Sequence, residues 1–335
     1  MPFHTSELIG SVSDSQRGPI ENRVSPQMSI GLCRMLRQDS AQVAESASLQ
    51  KILIAGGGAM GAGIGYIFAR AYPEAQVDVM DTNEKVRAQA AENFEKWSAK
   101  DKERDEKAGK PFVSIEGRLN ILGGFGKAQL QYDLMLEAVT ENIELKKKIF
   151  AEFDLRAHDT SLFASNTSSL SITALSAAVN PKRQGRVVGL HFFNPPRVMK
   201  LLEIITTEAT EPSALALARE LAIRLEKTPV ICKDAPGFIT SRLGIVLMNE
   251  AIFALQEGLM SAEDIDTSMK LGYNFPMGPL QLADFIGLDV VFAVTQTLYE
   301  NYQDPKYRPC MLLRKKVEAG HLGQKSGRGF YVYGS

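Results

Sequence analysis

Short apolar runs recur along the chain from Lys51 onward, at Ile52 to Ala55, Val77 to Met80, Leu134 to Val139, Ser161 to Ala164, Val187 to Leu190, Leu201 to Ile205 and Val230 to Cys232. Helix-length stretches separate them. Such alternation predicts a mainly parallel sheet with helices on its faces. In open sheets of this type, ligands gather beyond the carboxyl ends of the strands. Several runs end there in polar residues: Asp81, Thr140-Glu141-Asn142, Ser165-Asn166 and His191. A polar crevice is therefore expected along that edge.

The pattern changes after Cys232. Asp234-Ala-Pro-Gly237 is a breaker, and beyond it Leu243, Val246, Leu247, Ala251, Ala254 and Leu255 recur at helical spacing. Ser261 with Asp264 has the form of a capping box, and Pro276-Met-Gly-Pro279 punctuates the way into a third helix. The organisation expected is a Rossmann-type α/β domain over residues 49–233 followed by an all-α domain over 234–335. The charged stretch Asp101 to Gly126 is read as a helical excursion from the first domain. Residues 1–48 are rich in Ser, Gln and Arg, lack a sustained apolar period and contain Gly18-Pro19 and Ser25-Pro26. They read as a poorly ordered extension. Its acidic residues nearly match its arginines and no apolar signal core is present, which argues against a targeting segment.

Composition narrows the partners. The 335 residues carry 38 Lys and Arg against 39 Asp and Glu, a formal charge of −1, which gives no electrostatic reason to expect nucleic acid or an acidic membrane surface. No apolar stretch approaches the roughly 20 residues of a membrane helix. Cys33, Cys232 and Cys310 are odd in number and far apart, so neither a disulfide framework nor a metal site is indicated. A reducing compartment fits best, the cytoplasm or, in a eukaryote, the mitochondrial matrix.

Gly56-Gly57-Gly58-Ala59-Met60-Gly61 follows an apolar strand and opens a helix with Ile64, Ile67, Phe68 and Ala71 on one face. Gly56 permits a tight turn, Gly58 lets backbone approach a pyrophosphate, and Gly61 allows the helix to pack on the strand. The helix amino terminus offers free N–H groups to the phosphates. Asp81 ends the next strand at the position where a carboxylate accepts the ribose hydroxyls. Its charge opposes the 2′-phosphate of NADP, so NAD is the expected cofactor; Lys85 and Arg87 are the nearby cations that bear on that choice.

Four histidines are present. His4, His158 and His321 lie among polar or terminal residues, whereas His191 closes the run Val187-Val-Gly-Leu190 at the expected crevice. Glu203 interrupts Leu201-Leu-Glu-Ile-Ile205, and an ionised carboxylate inside a strand is costly unless a partner compensates it. His191 is the natural partner. Such a carboxylate fixes the imidazole tautomer and stabilises the imidazolium, which suits a base that removes a hydroxyl proton beside a hydride acceptor.

Taken in order, Gly56 to Gly61, Glu141-Asn142 with Lys146, Ser165-Asn-Thr-Ser-Ser169, His191-Phe-Phe-Asn-Pro195, Glu203, Pro236-Gly-Phe238, Pro276-Met-Gly-Pro279 and Gly327-Arg-Gly-Phe-Tyr331 resemble the L-3-hydroxyacyl-CoA dehydrogenases from about Lys51 to Tyr333. Tyr307-Arg-Pro-Cys310 and Leu312-Leu-Arg-Lys315 most resemble the 3-hydroxybutyryl-CoA branch of that family. The resemblance implies His191 as general base, Glu203 as its orienting partner and Ser168 on the substrate oxygen and near the nicotinamide. It further implies dinucleotide contacts from Glu141, Lys146, Asn194 and Lys325, an acyl-CoA substrate, and a homodimer formed through the helical domain. One departure stands out: Ser241 occupies a position where the family commonly has an asparagine. Dehydrogenation of another hydroxy acid, or dinucleotide binding without turnover, are the alternatives.

Overall fold

A computed structural model describes residues 49–126 and 131–334. The expected extension, residues 1–48, lies outside the described residues. Eight strands form one sheet in the order β3-β2-β1-β4-β5-β6-β7-β8. They are β1 (Lys51–Ala55), β2 (Gln76–Met80), β3 (Leu119–Leu122), β4 (Tyr132–Glu137), β5 (Ala157–Ser165), β6 (Val187–Phe192), β7 (Leu201–Thr206) and β8 (Thr228–Lys233). All neighbours pair in parallel except β6 and β7. The link between those two, residues 193–200, is too short for the crossover of about a dozen residues that a parallel pair requires. The chain therefore reverses, and His191 and Glu203 become directly opposed cross-strand partners.

Helix α1 (Ala59–Ala71) starts at the glycine turn and packs Ile64, Phe68 and Ala69 into the sheet. Close approach is what makes two of the glycines obligatory. A Cβ at Gly61 would stand 1.8 Å from the Gly56 carbonyl oxygen, and Gly56 combines φ of +106° with a Cβ position 2.6 Å from Ala138 O. On the opposite face α3 (Ile143–Asp154) buries Ile149, Phe150 and Phe153 against Met135, Phe163 and Val187. Rings of this kind each contribute about 1.5–3 kcal/mol by leaving water.

The stretch expected as a helical excursion is helical only at its beginning. Helix α2 (Glu84–Lys107) ends at Ala108, and residues 119–122 add β3 to the edge of the sheet beside β2. The dense run of charges ends with the helix, leaving only Lys110, Glu116 and Arg118 before β3, whereas Leu119, Ile121 and Leu122 are partly buried and supply the apolar edge that β2 would otherwise leave unpaired.

The connections after β5 and β7 carry α4 (Ile172–Ser176) and α5 (Pro212–Arg224). From Thr240 the chain is helical: α6 (Thr240–Gln256), α7 (Ala262–Tyr273), α8 (Pro279–Ile286), α9 (Leu288–Tyr302) and α10 (Met311–Glu318). Ser261 caps α7 by accepting from Asp264 N, and Pro279 takes the first turn of α8, where it has no N–H to lose. The buried stripe of α6 is Ile245, Met248, Asn249, Ala251 and Ile252, while Leu243 is 63% exposed. The apolar stripe expected from sequence is thus split between a core face and an outer face. Asp284, fully buried on α8, accepts from the backbone N–H groups of Phe330 and Tyr331 and from the Tyr333 hydroxyl, and so fastens the terminal segment to the bundle. Gly329 follows from this: a Cβ there would lie 1.9 Å from an Asp284 carboxylate oxygen. From Leu49 onward sheet and helices form one compact unit. Among the described residues no single helix is long and apolar enough to cross a membrane, and no His, Cys, Asp and Glu cluster has metal-binding geometry.

Candidate active site

At the carboxyl end of β1, Gly58 is the N-cap of α1 and provides no side-chain cap, and no acidic residue occupies the first turn. The first N–H groups of the helix are left to an external acceptor. Nothing lies within 4 Å of where a Gly58 Cβ would be, so the approach to those donors is open. Asp81 stands beside the turn, its Oδ2 accepting from Gly57 N at 2.9 Å and its Oδ1 from Asn83 N at 2.8 Å. Arg87 donates to the Asp81 and Thr82 carbonyls at 2.9 and 3.0 Å. The guanidinium is thereby drawn to the main chain at the strand end. These residues fit a dinucleotide whose ribose hydroxyls meet a carboxylate.

Further along the same edge, His191 Nδ1 and Glu203 Oε2 are 2.7 Å apart, and His191 Nε2 lies 3.0 Å from Ser168 Oγ. Glu203 is fully buried and His191 is 5% exposed. The imidazole packs beside Phe193 and Phe238, with ring centroids 4.6 and 5.9 Å away. With Nδ1–H donating to the carboxylate, Nε2 is left to accept a proton at the crevice. Burial works to raise the Glu203 carboxyl, but hydrogen bonds from His191 and Thr240 outweigh it and hold the group below its usual value.

Ser168 sits on the turn after β5, and that turn is organised by Glu141. Glu141 Oε1 accepts from the N–H groups of Ser168 and Ser169 at 3.1 and 3.2 Å, and from the hydroxyls of Thr167 and Ser169. Its other oxygen is 3.3 Å from Lys146 Nζ. Lys146 lies beneath this layer, 1% exposed, and donates to Glu137 Oε1 at 2.7 Å and to the Val139 carbonyl. Glu137 in turn accepts from Ser165 Oγ and Val139 N. One polar chain therefore runs from the end of β4 through Lys146 and Glu141 to the serine that touches His191.

The structure brings together His191, Glu203 and Ser168, and separately the glycine turn and Asp81. Glu141 borders the crevice. Lys146 is enclosed under it instead of standing on a solvated helix face. Asn194 is exposed on the loop leaving β6, and Lys325 Nζ pairs with Asp289 of α9. Sequence reasoning passed over Glu137, although it interrupts Leu134-Met-Leu-Glu-Ala-Val139 as Glu203 interrupts its own strand. It also passed over Thr240, whose contact with Glu203 joins two domains and leaves no mark on local pattern. Between the domains a cavity of 320 Å³ is lined in part by Ser169, Ser171, Asp234 and Pro236.

A glycine turn opening a helix whose first N–H groups are free, a carboxylate beside it, and a carboxylate-held histidine on one crevice fit a nicotinamide-dependent dehydrogenase of the two-domain type. Residues 51–235 match the family described as 3-hydroxyacyl-CoA dehydrogenase, NAD binding domain, and residues 237–333 match 3-hydroxyacyl-CoA dehydrogenase, C-terminal domain. The chain belongs to the 3-hydroxyacyl-CoA dehydrogenase family. It is 41% identical over 285 residues to a probable 3-hydroxybutyryl-CoA dehydrogenase of Bacillus subtilis, covering 85% of this chain and 98% of the relative. It is 37% identical to the mitochondrial hydroxyacyl-coenzyme A dehydrogenase of Sus scrofa, over 91% of this chain and the whole of the relative. Among solved structures, (S)-3-hydroxybutyryl-CoA dehydrogenase from Ralstonia eutropha superposes with a TM-score of 0.76 at 39% identity, covering 86% of this chain and all of the other.

Proposed function

We propose that the chain catalyses the reversible, NAD-dependent oxidation of (3S)-3-hydroxyacyl-CoA to 3-ketoacyl-CoA, with His191 as general base, Glu203 as its orienting partner and Ser168 on the substrate oxygen. NAD, when bound, supplies the hydride acceptor. His191 Nε2 takes the 3-hydroxyl proton as the C3–H bond breaks, and the oxygen becomes the ketone carbonyl. Glu203 stabilises the resulting imidazolium through Nδ1. The Ser168 hydroxyl, which faces Nε2 in the free protein, turns to the substrate oxygen and holds it at the base. In the reverse direction the imidazolium returns its proton to the oxygen of acetoacetyl-CoA or a longer ketoacyl-CoA.

Gly56 to Gly61 and Asp81 hold the dinucleotide in this reading, with Glu141 shaping the crevice and Asn194 and Lys325 as further contacts. Lys146 contributes from beneath, by fixing Glu141. The NAD-binding part spans residues 49–233 and the helical part 234–335. Exposed Leu243, Leu271, Tyr273 and Met311 on the helical part, 63, 82, 72 and 52% accessible, support a homodimer built through it; sedimentation at micromolar concentration checks this. Relatives occur both in bacteria and in mitochondria, and a cytoplasmic or matrix enzyme agrees with the cysteine content.

The observation that carries the reading is the line Ser168 Oγ, His191 Nε2, His191 Nδ1, Glu203 Oε2 at the mouth of the crevice. General acid-base help of this kind is worth about 100- to 10,000-fold. His191→Gln is expected to lower turnover of 3-hydroxybutyryl-CoA by at least about 100-fold while NAD binding, followed by calorimetric titration, persists. Turnover near that of the unaltered protein overturns the assignment. A panel of C4 to C16 substrates in the same assay separates this activity from oxidation of another hydroxy acid.

A further inference from the structure

Glu203 is held by more than its histidine. Its Oε2, the oxygen 2.7 Å from His191 Nδ1, also accepts from Thr240 Oγ1 at 2.9 Å, and its Oε1 accepts from Thr240 N at 3.0 Å. Thr240 is the first residue of α6, whose N-cap, Ile239, offers no side-chain acceptor. Glu203 on the sheet therefore serves as the external cap of a helix in the other domain, and the helix end in turn supplies two donors to the carboxylate. The backbone donor is available to any residue except proline. The hydroxyl is a property of Thr240 alone.

We infer that Thr240 is a positioning residue for proton transfer: its hydroxyl shares one carboxylate oxygen with the His191 ring, and so sets how strongly the His191–Glu203 pair holds the proton taken from substrate. This rests on the assignment of His191 as the base. A donor that shares Oε2 draws off part of the negative charge that would otherwise stabilise the imidazolium, and it keeps the carboxylate aligned with Nδ1. Removing it leaves more charge on the histidine side and makes the pair a tighter proton acceptor. The charged and titratable surroundings from each packed element are few. Val230 is the cross-strand neighbour of Glu203 on β8. Cys232 of the same strand feels Glu203 and Asp234, but burial first and those charges second push its thiol up, so it stays neutral. From the β5 turn the group facing the pair is the Ser168 hydroxyl, and from α6 it is Thr240.

The test is the pH profile of kcat/KM in both directions for the full chain, comparing Thr240→Val with Thr240→Ser. Valine keeps the shape and the backbone N–H but loses the hydroxyl. With Thr240→Val the acid limb of 3-hydroxybutyryl-CoA oxidation and the basic limb of acetoacetyl-CoA reduction both move to higher pH. The expected displacement is about half a pH unit, roughly threefold in proton affinity. Thr240→Ser restores the original limbs. A merely structural role predicts altered thermal stability with unmoved limbs, and that result overturns the inference, as does a serine variant displaced as far as the valine one. His191→Gln in the same assay keeps the two ideas apart. If it retains turnover, the assignment of the base fails; if it loses turnover while the Thr240→Val limbs stay put, only the role of Thr240 fails.

Discussion

Lys146 Nζ and Glu137 Oε1 form an ion pair of 2.7 Å in which the side chains are 1% and 0% exposed. Two charges withdrawn from water this fully are tolerated only because their remaining hydrogen-bonding capacity is also met. Lys146 reaches the Val139 carbonyl as well, and Glu137 receives Ser165 Oγ and Val139 N. The pair joins α3 to the end of β4 directly under the turn that carries Ser168. Its position explains why a lysine inside Lys146-Lys-Lys148 is enclosed while its neighbours face solvent: Lys146 shares the helix face of Ile149 and Phe150.

Removing one member of such a pair strands the other. Lys146→Met is expected to destabilise the protein by about 3–5 kcal/mol, measured by urea unfolding. Adding Glu137→Gln to that variant is expected to recover part of the loss, because no uncompensated charge remains. A single variant within about 1 kcal/mol of the unaltered protein, the typical size of a surface pair, shows that the pair carries no such role.

The architecture was legible where apolar runs coincide with strands. All seven runs became strands of the sheet; for the inner strands the reason is that burial on both faces leaves an almost uninterrupted apolar signature, whereas β8 is a largely exposed edge strand. The edge strand β3 was not, since it is short and only partly buried, and charged residues of α2 precede it. The His191–Glu203 pairing could be argued because a carboxylate in an apolar run demands a partner. The short 193–200 link calls for a reversal between β6 and β7, after which β7 and β8 run opposite to the other strands, but the register that sets His191 directly across from Glu203 has no local mark. Glu141 illustrates the same limit. Its role as acceptor for the turn bearing Ser168 joins residues 26 to 28 positions apart through loop geometry that no periodicity encodes.

In the proposed reading, cofactor choice follows from Asp81. Its carboxylate is fixed beside the turn by Gly57 and Asn83, and Arg87, the nearest arginine in sequence, donates to two main-chain carbonyls. A 2′-phosphate would meet a negative charge held in place. The kcat/KM with NAD is expected to exceed that with NADP by at least about 100-fold, a difference of about 2.7 kcal/mol. Asp81→Ser is expected to narrow the ratio by at least about tenfold, chiefly by improving NADP. Equal use of the two cofactors by the unaltered protein contradicts this account of Asp81.

The Glu203 carboxylate also makes stability depend on acidity. Although burial pushes its carboxyl up, the hydrogen bonds from His191 and Thr240 prevail and hold the group below its ordinary value of 4.5. A carboxyl with a lowered folded-state value gives the native state a lower affinity for protons than the unfolded chain has. The associated stability is thus fully present above the ordinary carboxylate value and is lost as pH falls through the lowered one. Glu203→Gln keeps the shape but has no proton to gain, so it is expected to be less stable than the unaltered protein at pH 7, by about 1–3 kcal/mol. That gap should shrink as pH falls below 4.5. Urea midpoints measured for both proteins from pH 7 downward test the sign. Other carboxylates titrate in both and cancel in the comparison. A gap that widens toward acid, or holds constant, means that the ionised form of Glu203 does not stabilise the fold through its partners.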